Sequence, residues 1–203
     1  MFGDASHAIS PETNFWQWFE ANSDRLMDFE SDQEQIFDEL DAELAKVAEG
    51  LTFEFSSQAA DEREFIVSAD GIAALFPAVI SLIGVAPTLP GWRFIAFRQP
   101  KGTHFTIGFG EHELSPDDMW FTASPNMNKL DITLYVKGLT SENQEFIQNA
   151  SFILLDTALG EYDVETKIGV IDWKAAPDTI PAKLQSFHEL PNVVSRWTAT
   201  RPS

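Results

Sequence analysis

Residues Phe146 to Trp173, FIQNASFILLDTALGEYDVETKIGVIDW, read as a long helix followed by a strand. Phe146, Ala150, Ile153, Leu154 and Thr157 recur at helical spacing, and Phe152, Leu155 and Leu159 make a second stripe nearly opposite. A helix wet on one side needs one stripe. Two stripes predict cover on both sides, by a sheet and by another helix or subunit, so Phe152, Leu155 and Leu159 form a candidate homodimer face. Gly160 ends the helix, and Ile168 to Trp173 reads as a strand.

Before this helix, Leu130 to Lys137 alternates cleanly, with Leu130, Ile132, Leu134 and Val136 on one side and Asp131, Thr133 and Tyr135 on the other. Met119 to Ala123 reads as its neighbour across a turn at Ser124-Pro125-Asn126, and Ser141-Glu142-Asn143-Gln144 as a capping box for the long helix. Thr103 to Phe109 is expected as an irregular strand and Glu111 to Asp118 as an acidic loop. Further back come strands Leu51–Ser57 and Glu64–Ala69 around a turn at Ser57–Glu62. A break at Asp70-Gly71, a helix opening near Phe76 with Pro77 in its first turn, and strand Trp92–Arg98 follow. Strand, strand, helix, strand thus occurs twice, over about 51–98 and about 119–173, and a ββαβ duplication is one reading of it.

The first residues, 1–9, read as a loose tail, and Ser10-Pro11 as a helix start. A helical hairpin is expected over about 11–50. Its first helix places Phe15, Trp18, Phe19, Asn22 and Leu26 on one face with Trp16 to the side. Its second opens on a capping box, Ser31 to Glu34, and carries Phe37, Leu40, Leu44 and Val47. Past Trp173 an irregular tail with one short helix, Ala182 to His188, is expected. The fold class is α+β: one domain over 1–203, a mixed sheet with helices mainly on one face and a polar face left open.

The chain carries 32 acidic against 13 basic residues, a net charge of −19, which repels phosphate backbones and anionic membranes. No nucleic-acid or membrane partner is therefore expected, and a basic protein partner is admitted. With no cysteine there is no disulfide, which suits a reducing cytosol. Met1 to Ser10 lacks the pattern of a signal peptide, so a cytoplasmic location is expected.

No nucleophile elbow, phosphate-binding loop, dinucleotide fingerprint or zinc-protease motif occurs; Gly108-Phe109-Gly110 matches none of them. No cofactor and no metal are expected; the alternative is a carboxylate–histidine site around His104 and His112, with Glu111, Glu113, Asp117 and Asp118 nearby. His7 and His188 stand near loose ends. If Glu161–Lys167 is extended, Glu161, Asp163 and Glu165 share one side and could do acid–base work. Arg98, at the carboxyl end of a predicted strand, is placed to hold a ligand or one of the many carboxylates. With Glu54, Asp131 and Tyr135 on polar strand faces, and Glu161 and Asp163, it completes the candidate binding set.

Several stretches resemble a family of uncharacterised bacterial conserved hypothetical proteins: Phe15 to Phe19, Ala69-Asp70-Gly71 with Phe76-Pro77, Gly91 to Arg98, Ser115 to Asp118, and Leu159 to Gly169. The resemblance spans about residues 15–190 and implies a bacterial, cytoplasmic protein. It supplies no catalytic residues. The favoured function is a non-enzymatic protein-interaction or regulatory domain, an immunity or inhibitor protein being one concrete version. The alternative is a small hydrolase using Glu161, Asp163 and Glu165, with a metal near His112.

Overall fold

A computed structural model of the chain describes residues 9–56, 62–110 and 112–200. The expected tail up to Ala8 with His7, the turn over 57–61, and Glu111 lie outside these. Two compact units divide the chain, Met1–Arg98 and Gln99–Ser203.

The first unit opens with α1 (Pro11–Ala21), whose N-terminus is capped by Ser10 accepting the Thr13 amide. A short α2 (Ser23–Met27) and α3 (Gln33–Val47) follow. The expected capping box at Ser31 is absent: the Ser31 hydroxyl donates to Asp28 instead, and the helix starts behind Asp32 without a side-chain cap. Strands β1 (Thr52–Phe55) and β2 (Arg63–Ser68) pair antiparallel. Helix α4 (Phe76–Gly84), with Pro77 in its first turn, leads to β3 (Trp92–Ala96), which lies parallel to β2. The core is aromatic. Phe15 and Phe19 of α1 pack on Phe65 of β2, and Phe29 stacks on Phe55 with ring centroids 4.8 Å apart. Trp16 is buried rather than lateral, its ring 4.4 Å from Phe94 and its indole N–H donating to the Leu82 carbonyl at 2.7 Å. That bond ties α1 to α4 and satisfies a buried donor.

The helical hairpin is further held by a two-pronged ion pair between α2 and α3, Arg25 Nη1 to Glu39 Oε2 at 2.5 Å and Nη2 to Oε1 at 2.9 Å. Arg25, helped by Gln35, pushes the Glu39 carboxyl down from 4.5 to about 2. Glu30, against Arg63, and Glu12, bonded by its own backbone amide and by Ser10 and Ser81, are lowered too. A depressed folded-state pKa gives stability that is present above the unfolded value and lost as pH falls through the folded one. For Glu39 the loss runs from about pH 4.5 down to about 2. Glu39→Gln should therefore flatten the acid limb of an unfolding-versus-pH curve in that window and leave the neutral limb's slope alone. An unchanged acid limb would remove this pair from the acid response.

In the second unit a small hairpin, β4 (Ile107–Phe109) and β5 (His112–Leu114), stands where an irregular strand and an acidic loop were expected. Strand β6 (Met119–Asn126) runs through the supposed turn at Pro125 and pairs antiparallel with β7 (Lys129–Val136). Pro125 is tolerated because the other side of β6 is paired only at Trp120 and Phe121, so its missing N–H removes no ladder bond there. The chain reverses at Met127-Asn128, with Met127 at φ 50°.

Helix α5 (Gln144–Leu159) is not opened by the Ser141 box. Asn143 takes the cap position, its side chain accepting the Thr140 amide and donating to the Gly138 carbonyl. Its buried face is one stripe, Ile147, Ala150, Ser151, Leu154, Leu155, Ala158 and Leu159. The two-stripe reading is thus corrected: Leu155 and Leu159 belong to the unit's own core, whereas Phe152 and Ile153 are exposed.

At Gly160 (φ 82°, ψ 150°) the chain takes a conformation reserved for glycine and re-enters helix as α6 (Glu161–Lys167). The segment is therefore not extended. Acidic residues in its first turn, Lys167 in its last, and the Asp163–Lys167 pair at 2.7 Å favour the short helix. Strand β8 (Ile168–Ala175) lies parallel to β7. Between Leu130 and Ile132 of β7 the register slips, giving a bulge at Gly169-Val170. Asp131 accepts the Val170 amide at 2.8 Å, and a Cβ on Gly169 would lie 2.2 Å from its carboxylate, so a larger residue there would have to displace the Asp131 side chain. The expected irregular tail holds β9 (Gln185–Ser186), paired with β6, and α7 (Leu190–Ala199), in whose first turn Pro191 is tolerated.

The result is an α+β protein in which the expected mixed sheet is divided, β1-β2-β3 in one unit and β8-β7-β6-β9 in the other. Each unit carries the same ββαβ path, with its second strand central, antiparallel to the first and parallel to the third. In the second unit β7 buries Leu130, Ile132, Leu134 and Val136 under α5 and leaves Asp131, Thr133 and Tyr135 half-exposed.

Candidate functional site

The second unit holds a cleft of about 530 Å³ between the β4–β5 hairpin and the first turns of α5. Phe146 and Ile153, two turns apart on α5, and Ile107 and Phe109 from the hairpin give it apolar walls; Glu142 and Glu145 stand on its rim. Phe109 is 79% exposed, between Gly108 and Gly110, the latter at φ 61°. The His112 ring lies 5.4 Å from that of Phe146, across the hairpin's other strand. Exposed aromatic surface beside carboxylates is costly to leave wet and is suited to an apolar, positively charged ligand.

A polar row lies elsewhere in the same unit. The Thr103 hydroxyl is 2.8 Å from His188 Nδ1, and His188 Nε2 is 2.8 Å from Asp117 Oδ1. The ring of His104 is 5.4 Å from that of His188. With the proton on Nε2, donated to Asp117, His188 presents a lone pair to the Thr103 hydroxyl, which is the geometry of a base beside a nucleophile. No local pattern marks this row: His188 is separated by 85 residues from Thr103 and by 71 from Asp117.

The sequence-derived candidates fall apart from one another. Glu54 and Arg98 meet in the first unit, where Arg98 Nη2 donates to Asp70 at 3.1 Å and Nη1 lies 3.8 Å from Glu54. Asp131 is committed to the β8 bulge and to the Asn126 amide, at 2.7 Å. Tyr135 is half-exposed on β7, opposite Trp120 and Lys174. In helical α6, Glu161 is 1% exposed, Asp163 pairs with Lys167, and the Glu165 carbonyl accepts Lys129 Nζ at 2.6 Å. Helical spacing turns Asp163 about 200° from Glu161 and brings Glu165 back to within about 40° of it, so the three carboxylates do not lie on one face. His104 and His112 have different ring partners, and among the described residues no group of three or more His, Cys, Asp or Glu is placed to hold a metal ion.

Arg63 escaped the sequence reading. It is 3% exposed, bonds Glu30 at 2.8 Å and lies 4.5 Å over the Phe29 ring, while its Nε and Nη1 have no partner among the described residues. No sequence pattern marks a buried arginine at a strand start.

Fold and clefts together define an α+β protein with an open, apolar, acid-rimmed groove. No family model, no curated protein and no solved structure matches the chain. Among the described residues no helix is long and apolar enough to cross a membrane.

Proposed function

We propose that the protein is a non-enzymatic binding module that takes a basic, apolar-anchored segment of another protein in the cleft between α5 and the β4–β5 hairpin. The observation that carries this is the pairing of a largely exposed Phe109 with apolar walls and a carboxylate rim. The net charge of −19 would steer a cationic partner towards it and turn nucleic acid away. A cytoplasmic, bacterial immunity or inhibitor protein is one concrete form of this reading. The cysteine-free composition and the family resemblance support that setting.

Calorimetric titration with a peptide placing Lys and Leu at helical spacing tests the reading. Binding should weaken as salt rises, and Glu142→Lys with Glu145→Lys should lower affinity about tenfold or more, as should Phe109→Ala. Affinity indifferent to these changes would sink it.

The polar row supports a second reading, an acyl hydrolase. His188 would take the Thr103 proton as the hydroxyl oxygen bonds to an ester carbonyl carbon, and would return it to the departing alkoxide; water would then release the acyl group. A fluorophosphonate probe should label the protein and should not label Thr103→Val. Absence of labelling in the unaltered protein ends this reading.

A further inference from the structure

We propose that β8 is the seam of a homodimer, in which two copies pair antiparallel edge to edge about Trp173 and join two four-stranded sheets into one. The proposal does not depend on what fills the cleft.

Strand β8 ends its sheet, and among the described residues nothing bonds its outer side. Beyond the bulge, the edge from Ile171 to Ala175 offers an unpaired row of amides and carbonyls, a template for another strand. The side chains choose the occupant. Val170, Asp172 and Lys174 lie on the open face, exposed, and neither Asp172 nor Lys174 has an ion-pair partner among the described residues. Ile171 and Trp173 point to the helical face, where the Trp173 ring meets Phe152 at 5.6 Å. Phe152 is 46% exposed there, although it contributes nothing to the buried stripe of α5.

A second copy pairs both exposed charges of this edge in one register. Keeping like faces together requires residues of equal parity to stand opposite. Centring on Asp172 opposes two carboxylates, and centring on Lys174 opposes two ammonium groups. Centring on Trp173 sets Asp172 against Lys174 of the second copy twice over, with the two Trp173 rings paired on the other face. The charge pattern of the strand is thus complementary to itself reversed.

Sedimentation equilibrium at low and high salt tests this. The expected species is a dimer of the 22.7 kDa chain. Its affinity should hold or rise with salt, because screening relieves repulsion between two chains of charge −19. A basic peptide in the cleft should show the opposite trend, so failure of either idea is visible separately. Asp172→Lys alone, or Lys174→Asp alone, should weaken the dimer about ten- to a hundredfold by opposing like charges. The double swap D172K/K174D should restore it, and circular dichroism confirms folding of each variant. A monomer at the highest soluble concentration overturns the proposal, as does a dimer insensitive to the single reversals or not restored by the double swap.

Discussion

Phe65→Ala should destabilise the first unit by about 3–5 kcal/mol, the upper range for a single core truncation. Phe65 is fully buried on the central strand β2. Rings from Phe15, Trp16, Phe19, Phe53, Phe55 and Phe94 surround it, with centroids from 4.9 to 6.4 Å away. Rings held by three different elements cannot all move inward, so the vacated volume stays largely empty and the cavity adds to the lost transfer energy. Against a typical domain stability of about 5–15 kcal/mol this is a large fraction. Ile80→Ala on α4, half-exposed, is the control and should cost about 0.5 kcal/mol or less. Denaturant melts decide: equal midpoints for the two variants would mean that the aromatic cluster is not what holds this unit.

Leu155→Ala should cost about 2–5 kcal/mol, and the loss should be the same at low and high protein concentration. Sequence spacing put Leu155 with Phe152 and Leu159 on an interface, whereas the fold buries it in the second unit's core beside Leu154 and Ala158. A residue in a monomer core lowers the melting temperature independently of concentration; a residue in an interface does so through the association equilibrium. Phe152→Ala, by contrast, should leave the monomer's stability nearly unaltered. A loss for Leu155→Ala that fades at high concentration would return it to an interface.

The difference between these two neighbours shows what the sequence could and could not say. Strand β7 was legible because its alternation is complete and its two faces differ in chemistry, and the burial pattern repeats it residue by residue. Helix α5 was misread because Ser151 sits inside the buried stripe, its hydroxyl satisfied by the Ile147 carbonyl at 2.6 Å, while apolar Phe152 and Ile153 sit outside it. Counting Ser as polar splits one stripe into two. The capping boxes failed for a related reason: Ser31 and Asn143 spend their side chains on the preceding turn, a choice made by local geometry that a four-residue pattern does not encode. Helix α6 lacks an apolar face long enough to reveal its period. The site was less legible still. Phe109 between two glycines carried no signal until the hairpin placed it opposite α5, and Thr103, Asp117 and His188 are neighbours only in the folded chain.

The slipped register at Gly169-Val170 governs how far strand accretion can go. A kinked lead-in presents an uneven rail, so an incoming strand finds straight backbone only over the latter half of β8. A two-fold partner needs no more than that short run, and once seated it consumes the rail completely. Fibrillar stacking demands a long, level template and finds none along this border, so the bulge also works against runaway polymer growth.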